Sequence, residues 1–363
     1  MHEHVGDALK LPALIRVAPG LVCVRFETMK LLSAFAAVQR LLETGVVKRG
    51  DTLIDSSSGI YAYALALACH RFGMRCYIVG STTVDRTLKV QLEILGATLE
   101  QVKPSDSLEL DQRLRVTRIS QILAENPSFH WMRQYHDDVH YVGYAQVAAL
   151  IDKEIPSGRF TLTAGVGSGA STAGLAAYLR ALGRTVRVVG VQPFGSMTFG
   201  SDGIEDRQII IAGIGSSIEF KNVRHEVYDR IHWVGFGPAS SGAVELLRQS
   251  AIFAGLSTGA SYLGARWEHI RDDASVHLFI AADTGHRYVE QVFSRHAECR
   301  DVGLLVPKEI ATLSDLATPW STMEWAGRPA PYPSTRPSTS DANGPGEHHA
   351  SPRSAPLLEA NEA

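Results

Sequence analysis

The feature that most constrains this chain is an alternation that occurs twice. A short apolar run ends in a turn of glycine and hydroxyl residues, and a helix-length segment follows. Between residues 50 and 102 the order is "DTLIDSS", then "YAYALALACHRFG" closed by Gly73, "RCYIVG", "VDRTLKVQLEILGA" ending at Gly96, and "TLEQV". It returns as "RFTLTAG", "ASTAGLAAYLRALG" and "TVRVVGVQP", then as the helix "AVELLRQSAIFAG" and the strand "VHLFIAAD". Strands alternating with helices of this length predict an α/β fold: two open, twisted, mostly parallel sheets with helices on both faces. The two blocks divide near residue 145, predicting one α/β unit over 1–145 and a second over 146–310. An extension follows over 311–363. From about residue 329 it holds seven of the chain's 16 prolines and almost no apolar pattern, so disorder is expected there. Just before it, "TPWSTMEWAGR" carries Trp320 and Trp325, which are expected to dock on the body.

Charge narrows the partners. A formal net charge of -3 with 20% charged residues and no basic run gives nothing for nucleic acid or anionic lipid to bind. No apolar run approaches the ~20 residues that span a bilayer, and "MHEHVGDALK" lacks a signal-peptide pattern. Cys23, Cys69, Cys76 and Cys299 form no CxxC pair, so free thiols and a cytoplasmic location are expected.

Four turns carry the chemistry. In "TLTAGVGSGAST", Gly165, Gly167 and Gly169 allow close approach of an anion to the N–H groups from Ser168 to Ser171 at a helix start. A dinucleotide site would want an acidic residue after the next strand, where Gln192 stands, and a P-loop would want a lysine. A monophosphate fits better. "IDSSSGIYAYALA" offers Ser56, Ser57, Ser58 and Gly59 at a second helix start, where a carboxylate or simple serine capping would both fit. "FAGLSTGAS" and "LFIAADTGHRY" repeat the pattern, the latter with Asp283, Thr284 and Gly285 at the end of a buried strand. Lys30 heads the apolar helix "KLLSAFAAVQRLL" between Met29 and Leu31. A lysine desolvated in this way has a lowered pKa and becomes an amine nucleophile. An amine, a phosphate cradle and a carboxylate turn together point to pyridoxal 5′-phosphate held as a Schiff base.

The order of these motifs resembles the fold-type II pyridoxal-phosphate enzymes, which share the architecture of the tryptophan synthase β chain. Within them it is similar to the cysteine synthase (O-acetylserine sulfhydrylase) and cystathionine β-synthase group, from about Val5 to about Val289. The resemblance implies that Lys30 carries the cofactor, and that "SSGIYA" grips the substrate carboxylate through Ser57, Ser58, Gly59 and Tyr61. It implies that "GVGSGA" holds the phosphate through Gly165, Val166, Gly167, Ser168 and Gly169, followed by Ser171. "GIGSS" places Gly213 near the mouth, "ADTGHRY" gives Thr284 to the pyridine nitrogen, and "RQYHDDVHY" gives Gln134 to substrate. A metal site from His136, Asp137, Asp138 and His140 competes with the last reading and is set aside, because the loop lacks helical ligand spacing.

The implied reaction is β-replacement on an O-activated L-serine, a small-molecule amino-acid substrate, through an aminoacrylate by a homodimeric transferase. A hydroxyl at the pyridine nitrogen cannot keep it protonated, which suits β-elimination, with Lys30 removing the α-proton. The chain also departs from the pattern. "RFETMKLL" lacks the Asn-Pro segment of NPxGSxKD, Ile60 stands where the family has an asparagine, and Tyr61 where it has a threonine. The acceptor side is therefore reshaped, and a product other than cysteine is expected to be open to it, such as 2,3-diaminopropionate. A lyase releasing pyruvate is the enzymatic rival. A non-catalytic relative that binds a partner's C-terminus is the other, and an intact Lys30 and phosphate loop argue against it.

Overall fold

The computed structural model describes residues 1–331 apart from 83, 104–107, 207–210 and 212; the side chains of 108–111 are also outside it. Most of the proline-rich tail lies outside the described residues. In chain order the elements begin with α1 (Val5–Leu9), β1 (Ala13–Ala18), β2 (Leu21–Arg25) and α2 (Lys30–Glu43). Next come β3 (Thr52–Ser56), α3 (Ile60–Phe72), β4 (Arg75–Ser81), α4 (Arg86–Ile94), β5 (Thr98–Val102), α5 (Leu108–Glu125) and β6 (His130–Trp131). The second block holds α6 (Tyr144–Glu154), β7 (Arg159–Gly165), α7 (Ala170–Ala181), β8 (Thr185–Gln192), β9 (Arg230–Val234), α8 (Phe236–Ser250), α9 (Leu256–Arg271) and β10 (Val276–Ala281). Two further strands, β11 (Lys308–Glu309) and β12 (Trp320–Glu324), complete it.

These form an eight-stranded sheet in the order β1-β2-β10-β7-β8-β9-β12-β11 and a four-stranded sheet in the order β5-β4-β3-β6. The smaller sheet is parallel throughout, and so are β2-β10-β7-β8-β9 in the larger one. Parallel strands covered on both faces read as continuous apolar runs, which is why "FTLTA" and "LFIA" are buried along their length. Helix ends follow the sequence. Asp85 caps α4 by accepting from the Leu88 N–H at 2.9 Å, and Gly73 closes α3 at φ 69°.

The division into units differs from expectation in one respect. The stretch 1–145 is not one sheet's worth of chain, because β1 and β2 leave it and join the larger sheet, β2 lying parallel to β10. The reason is burial: Leu21, Cys23 and Val24 lose their solvent only against Phe279, Ile280 and their neighbours. The consequence is functional. Lys30 follows directly from a strand of the large sheet, while its helix packs against α3 of the small one.

The extension after 310 is partly structural as well. β12 runs antiparallel to β9, the Trp320 indole N–H donates to His232 Nδ1 at 3.1 Å, and Trp325 is buried edge-on to Phe199 at 5.1 Å. Both tryptophans dock as expected. Replacing Trp325 with Ala is expected to cost about 3–5 kcal/mol, read as a lower denaturation midpoint at unchanged m-value.

Candidate active site

Lys30 is the first residue of α2, and its Nζ donates to Ser168 Oγ at 3.2 Å. That one contact joins the amine to the glycine loop across 138 residues of chain. The segment before Lys30 is pinned to the end of β10, with the Phe26 N–H on Ala281 O at 2.9 Å and the Met29 N–H on Ala282 O at 2.8 Å. Protein packs round the ammonium although its surface keeps a window to solvent. Burial pushes its pKa down to about 8, opposed by the charge of Asp55. A position at a helix N-terminus further disfavours a cation. The amine is therefore available as a nucleophile near neutrality.

The glycine loop is tight enough that side chains have no place in it. A Cβ on Gly167 would collide with the Gly213 carbonyl oxygen. A Cβ on Gly169, which sits at φ 81°, would collide with that of Asn222. Gly213, itself at φ 87°, and Ile214 thus form the wall behind the loop, and the Gly215 N–H donates to Val166 O at 2.9 Å. Gly169 caps α7 without a side chain, leaving the helix N-terminus to an external anion. Ser168 and Ser171 are buried there, Ser171 facing the Tyr144 hydroxyl. A neutral-prone amine, a side-chain-free cradle and an uncapped helix start fit pyridoxal phosphate.

The serine turn is tied inward more than the sequence suggests. Ser57 Oγ accepts from the N–H groups of Gly59 at 3.3 Å and Ala62 at 3.1 Å, so it acts as the cap that the simpler reading allowed. Ser58 Oγ holds the end of β4 through Ser81, at 2.8 Å to its N–H and 2.9 Å to its hydroxyl. Gln134 is buried beneath the turn, its amide donating to Ser56 O at 2.9 Å. Tyr61 points into the small-domain core with its hydroxyl unpartnered among the described residues, and burial raises its pKa.

The Thr284 hydroxyl bonds His286 Nδ1 at 2.8 Å and its backbone bridges Ala254. Asp283 lies against Gly255, and burial pushes it up to about 6 against the opposing charge of Arg287. Ser257, in the first turn of α9, is the buried hydroxyl beside Gly165. Of the residues weighed for a metal, His140 has both ring nitrogens engaged by Met132 and Ser33.

Sequence reasoning passed over two charged groups. Arg115 on α5 reaches the serine turn, its Nε 3.0 Å from Ser56 Oγ and its Nη1 3.4 Å from Ser58 Oγ. It has no carboxylate partner among the described residues. Asp55, at the end of β3, accepts from the Ser56 and Gln134 N–H groups at 2.7 and 3.0 Å and from the Trp131 indole at 3.2 Å. Burial still pushes it up to about 7.

Comparison with known proteins meets this geometry. Residues 25–281 match the family described as "Pyridoxal-phosphate dependent enzyme". The chain belongs to that family. It is 31% identical over 263 residues to an N-(2-amino-2-carboxyethyl)-L-glutamate synthase of Ralstonia nicotianae, covering 70% of this chain and 75% of the relative. It is 30% identical to the enzyme of the same name from Cupriavidus metallidurans, again over 70% of this chain and 76% of the relative. Among solved structures it resembles a cysteine synthase of Entamoeba histolytica with a TM-score of 0.72 at 18% identity, over 83% of this chain and 92% of that one. The protein is a pyridoxal-phosphate-dependent enzyme of fold-type II, and the expected β-replacement chemistry accords with these relatives.

Two outcomes follow from the geometry of Lys30 and the loop. With cofactor-free protein, the rate at which added pyridoxal phosphate develops Schiff-base absorbance is expected to rise with pH through about 8 and then level off, tracking the neutral Lys30 amine. Gly169→Ala is expected to abolish retention of the cofactor on gel filtration while the far-UV circular dichroism is kept.

Proposed function

We propose that the enzyme joins the β-carbon of an O-activated L-serine to the amino group of an acidic amino acid, the reaction class named by its relatives. The observation that carries this reading is Arg115. A guanidinium without an acidic partner among the described residues, set against the hydroxyls of the carboxylate turn, suits a second substrate that brings an extra carboxylate. Ile60 at the head of α3 removes an amide from the same turn, so polar recognition shifts from the turn itself to α5.

When bound, pyridoxal phosphate supplies the electron sink that lets the α-proton leave and the β-substituent depart. Lys30 Nζ would be the group that takes that proton, and its lowered pKa of about 8 gives it a larger neutral fraction near neutrality than an ordinary lysine has. Ser168 Oγ orients Nζ by accepting a hydrogen bond from it. The uncapped start of α7 takes the phosphate, and the turn at Ser57–Gly59 takes the substrate carboxylate. The neutral hydroxyl at the ring nitrogen is assigned to Thr284 on the family resemblance, and Ser257, buried beside Gly165, is a second neutral hydroxyl near the loop. A neutral partner there limits free carbanion chemistry and favours elimination. Asp55 and the N–H groups around it carry no share in these transfers; they hold the floor of the turn. We further propose a cytoplasmic homodimer, supported by the family resemblance and by free thiols at Cys23, Cys69, Cys76 and Cys299.

The test is competition between nucleophiles. O-phospho-L-serine and O-acetyl-L-serine are each offered with L-glutamate or with sulfide, and products are identified by mass spectrometry. N-(2-amino-2-carboxyethyl)-L-glutamate is expected from one donor. Cysteine alone would overturn the acidic nucleophile, and pyruvate alone would point to the lyase. Arg115→Met is expected to raise KM for L-glutamate about 10- to 100-fold, with little change in nucleophile-free pyruvate release.

A further inference from the structure

One turn between β6 and α6 is tied to both halves of the site. Residues Asp138–Tyr141 form a single 3-10 turn, and its last two side chains point in different directions. His140 is 1% exposed. Its Nε2 lies 2.8 Å from the Met132 carbonyl oxygen, which can only accept, so the ring proton is on Nε2. Burial holds the ring neutral, with its pKa pushed down to about 4. Nδ1 is then an acceptor, and it receives the Ser33 hydroxyl at 3.3 Å. Ser33 is one helical turn after Lys30 and shares its side of α2. The His140 ring is also braced edge-on by Tyr61, centroids 5.8 Å apart.

Tyr141 faces the other way. Its hydroxyl donates to Asn222 O at 2.8 Å, the same oxygen that leaves Gly169 no room for a Cβ. The Asn222 amide in turn donates to the carbonyls of Gln134 at 3.1 Å and Asp137 at 3.0 Å, closing the segment on itself. The lysine helix and the back of the phosphate loop are thus each hydrogen-bonded to adjacent residues of one short turn.

We propose that this turn is a spacer that sets the distance from Lys30 to the phosphate cradle, with His140 and Tyr141 as positioning residues acting through Ser33 and Asn222. The inference rests on Lys30 as the point of attachment. It separates two properties that general core packing would move together, namely the affinity of the cradle and the reactivity of the amine.

Two probes on the cofactor-free full-length chain distinguish them. Pyridoxine 5′-phosphate has the ring and phosphate but no aldehyde, so it reports the cradle alone. Pyridoxal 5′-phosphate also condenses with Lys30, losing water, and the growth of its visible band reports the amine. In His140→Leu, covalent capture at saturating pyridoxal phosphate is expected to slow about tenfold or more, with pyridoxine phosphate affinity within about twofold. Ser33→Ala, which leaves the core filled, is expected to reproduce this, and His140→Asn, whose amide oxygen can accept from Ser33, to restore it. Tyr141→Phe is expected to do the reverse, weakening pyridoxine phosphate about tenfold while saturated capture holds. Equal weakening of both probes in His140→Leu, or wild-type capture in Ser33→Ala, overturns the spacer. Lys30→Ala is the control for the underlying assignment: a Schiff-base band that persists in it would displace Lys30 and leave the spacer to be rejected with it, whereas its loss leaves the His140 result to decide.

Discussion

The contact on which the site depends is the hydrogen bond from Lys30 Nζ to Ser168 Oγ at 3.2 Å. It requires two opposed conditions to hold at once. A phosphate cradle is a place of positive potential, built from N–H groups and a helix start, whereas an amine nucleophile beside it has to shed its proton. The fold meets both by placing Lys30 at the start of its own helix and surrounding it with protein, so that the same positive ends that attract phosphate discourage a cation. Asp55 is the opposing influence. It lies near enough to raise the lysine, but burial raises its own pKa towards neutrality, which tempers its charge. The result is an amine near 8 rather than one locked in either state.

The same logic explains the helix starts. Gly59, Gly169 and Gly255 each cap a helix without a side-chain hydrogen bond. In an ordinary globular protein those N–H groups would be satisfied by serine, threonine or aspartate at the cap. Here the serines sit one or two residues earlier or later. Ser57 reaches forward to accept from the Ala62 N–H of α3, and Ser257 lies inside the first turn of α9. The start of α7 is left open to an anion, whereas Ser57 serves the start of α3 and the Asp283 carboxylate lies against Gly255 at the start of α9.

Local pattern made most of this legible. The parallel strands announced themselves as apolar runs, the turns as glycine with hydroxyls, and Lys30 as a charge at the head of an apolar helix. Pairing at long range did not. Nothing within "LVCVR" shows that it will lie beside "VHLFIA" some 250 residues later, so β2 was placed with its neighbours in sequence rather than its neighbours in space. Arg115 was illegible for a different reason. In "RLRVTRISQ" it is one of several arginines on a weakly amphipathic helix, and only the packing of α5 against β3 and β4 picks it out. The hydroxyl turn holding Ser257 was visible, but its packing beside Gly165 was not.

These placements also account for what the chain changed relative to its family pattern. Loss of the asparagine at Ile60 removes a neutral hydrogen-bonding group from the carboxylate turn, and loss of the Asn-Pro segment shortens the approach to Lys30. Neither change touches the cradle, whose glycines are fixed by backbone collisions with Gly213 and Asn222 that admit no substitute. Cofactor binding and acceptor recognition are therefore carried by different parts of the molecule. The first is set by backbone geometry in the large sheet. The second is, on the proposed reading, the task of α5 and the serine turn beside the small sheet, where the Arg115 guanidinium lies against Ser56 and Ser58. On that reading the fold can keep one half-reaction constant while its nucleophile changes, because the residues proposed to select the acceptor are not those proposed to hold the ring.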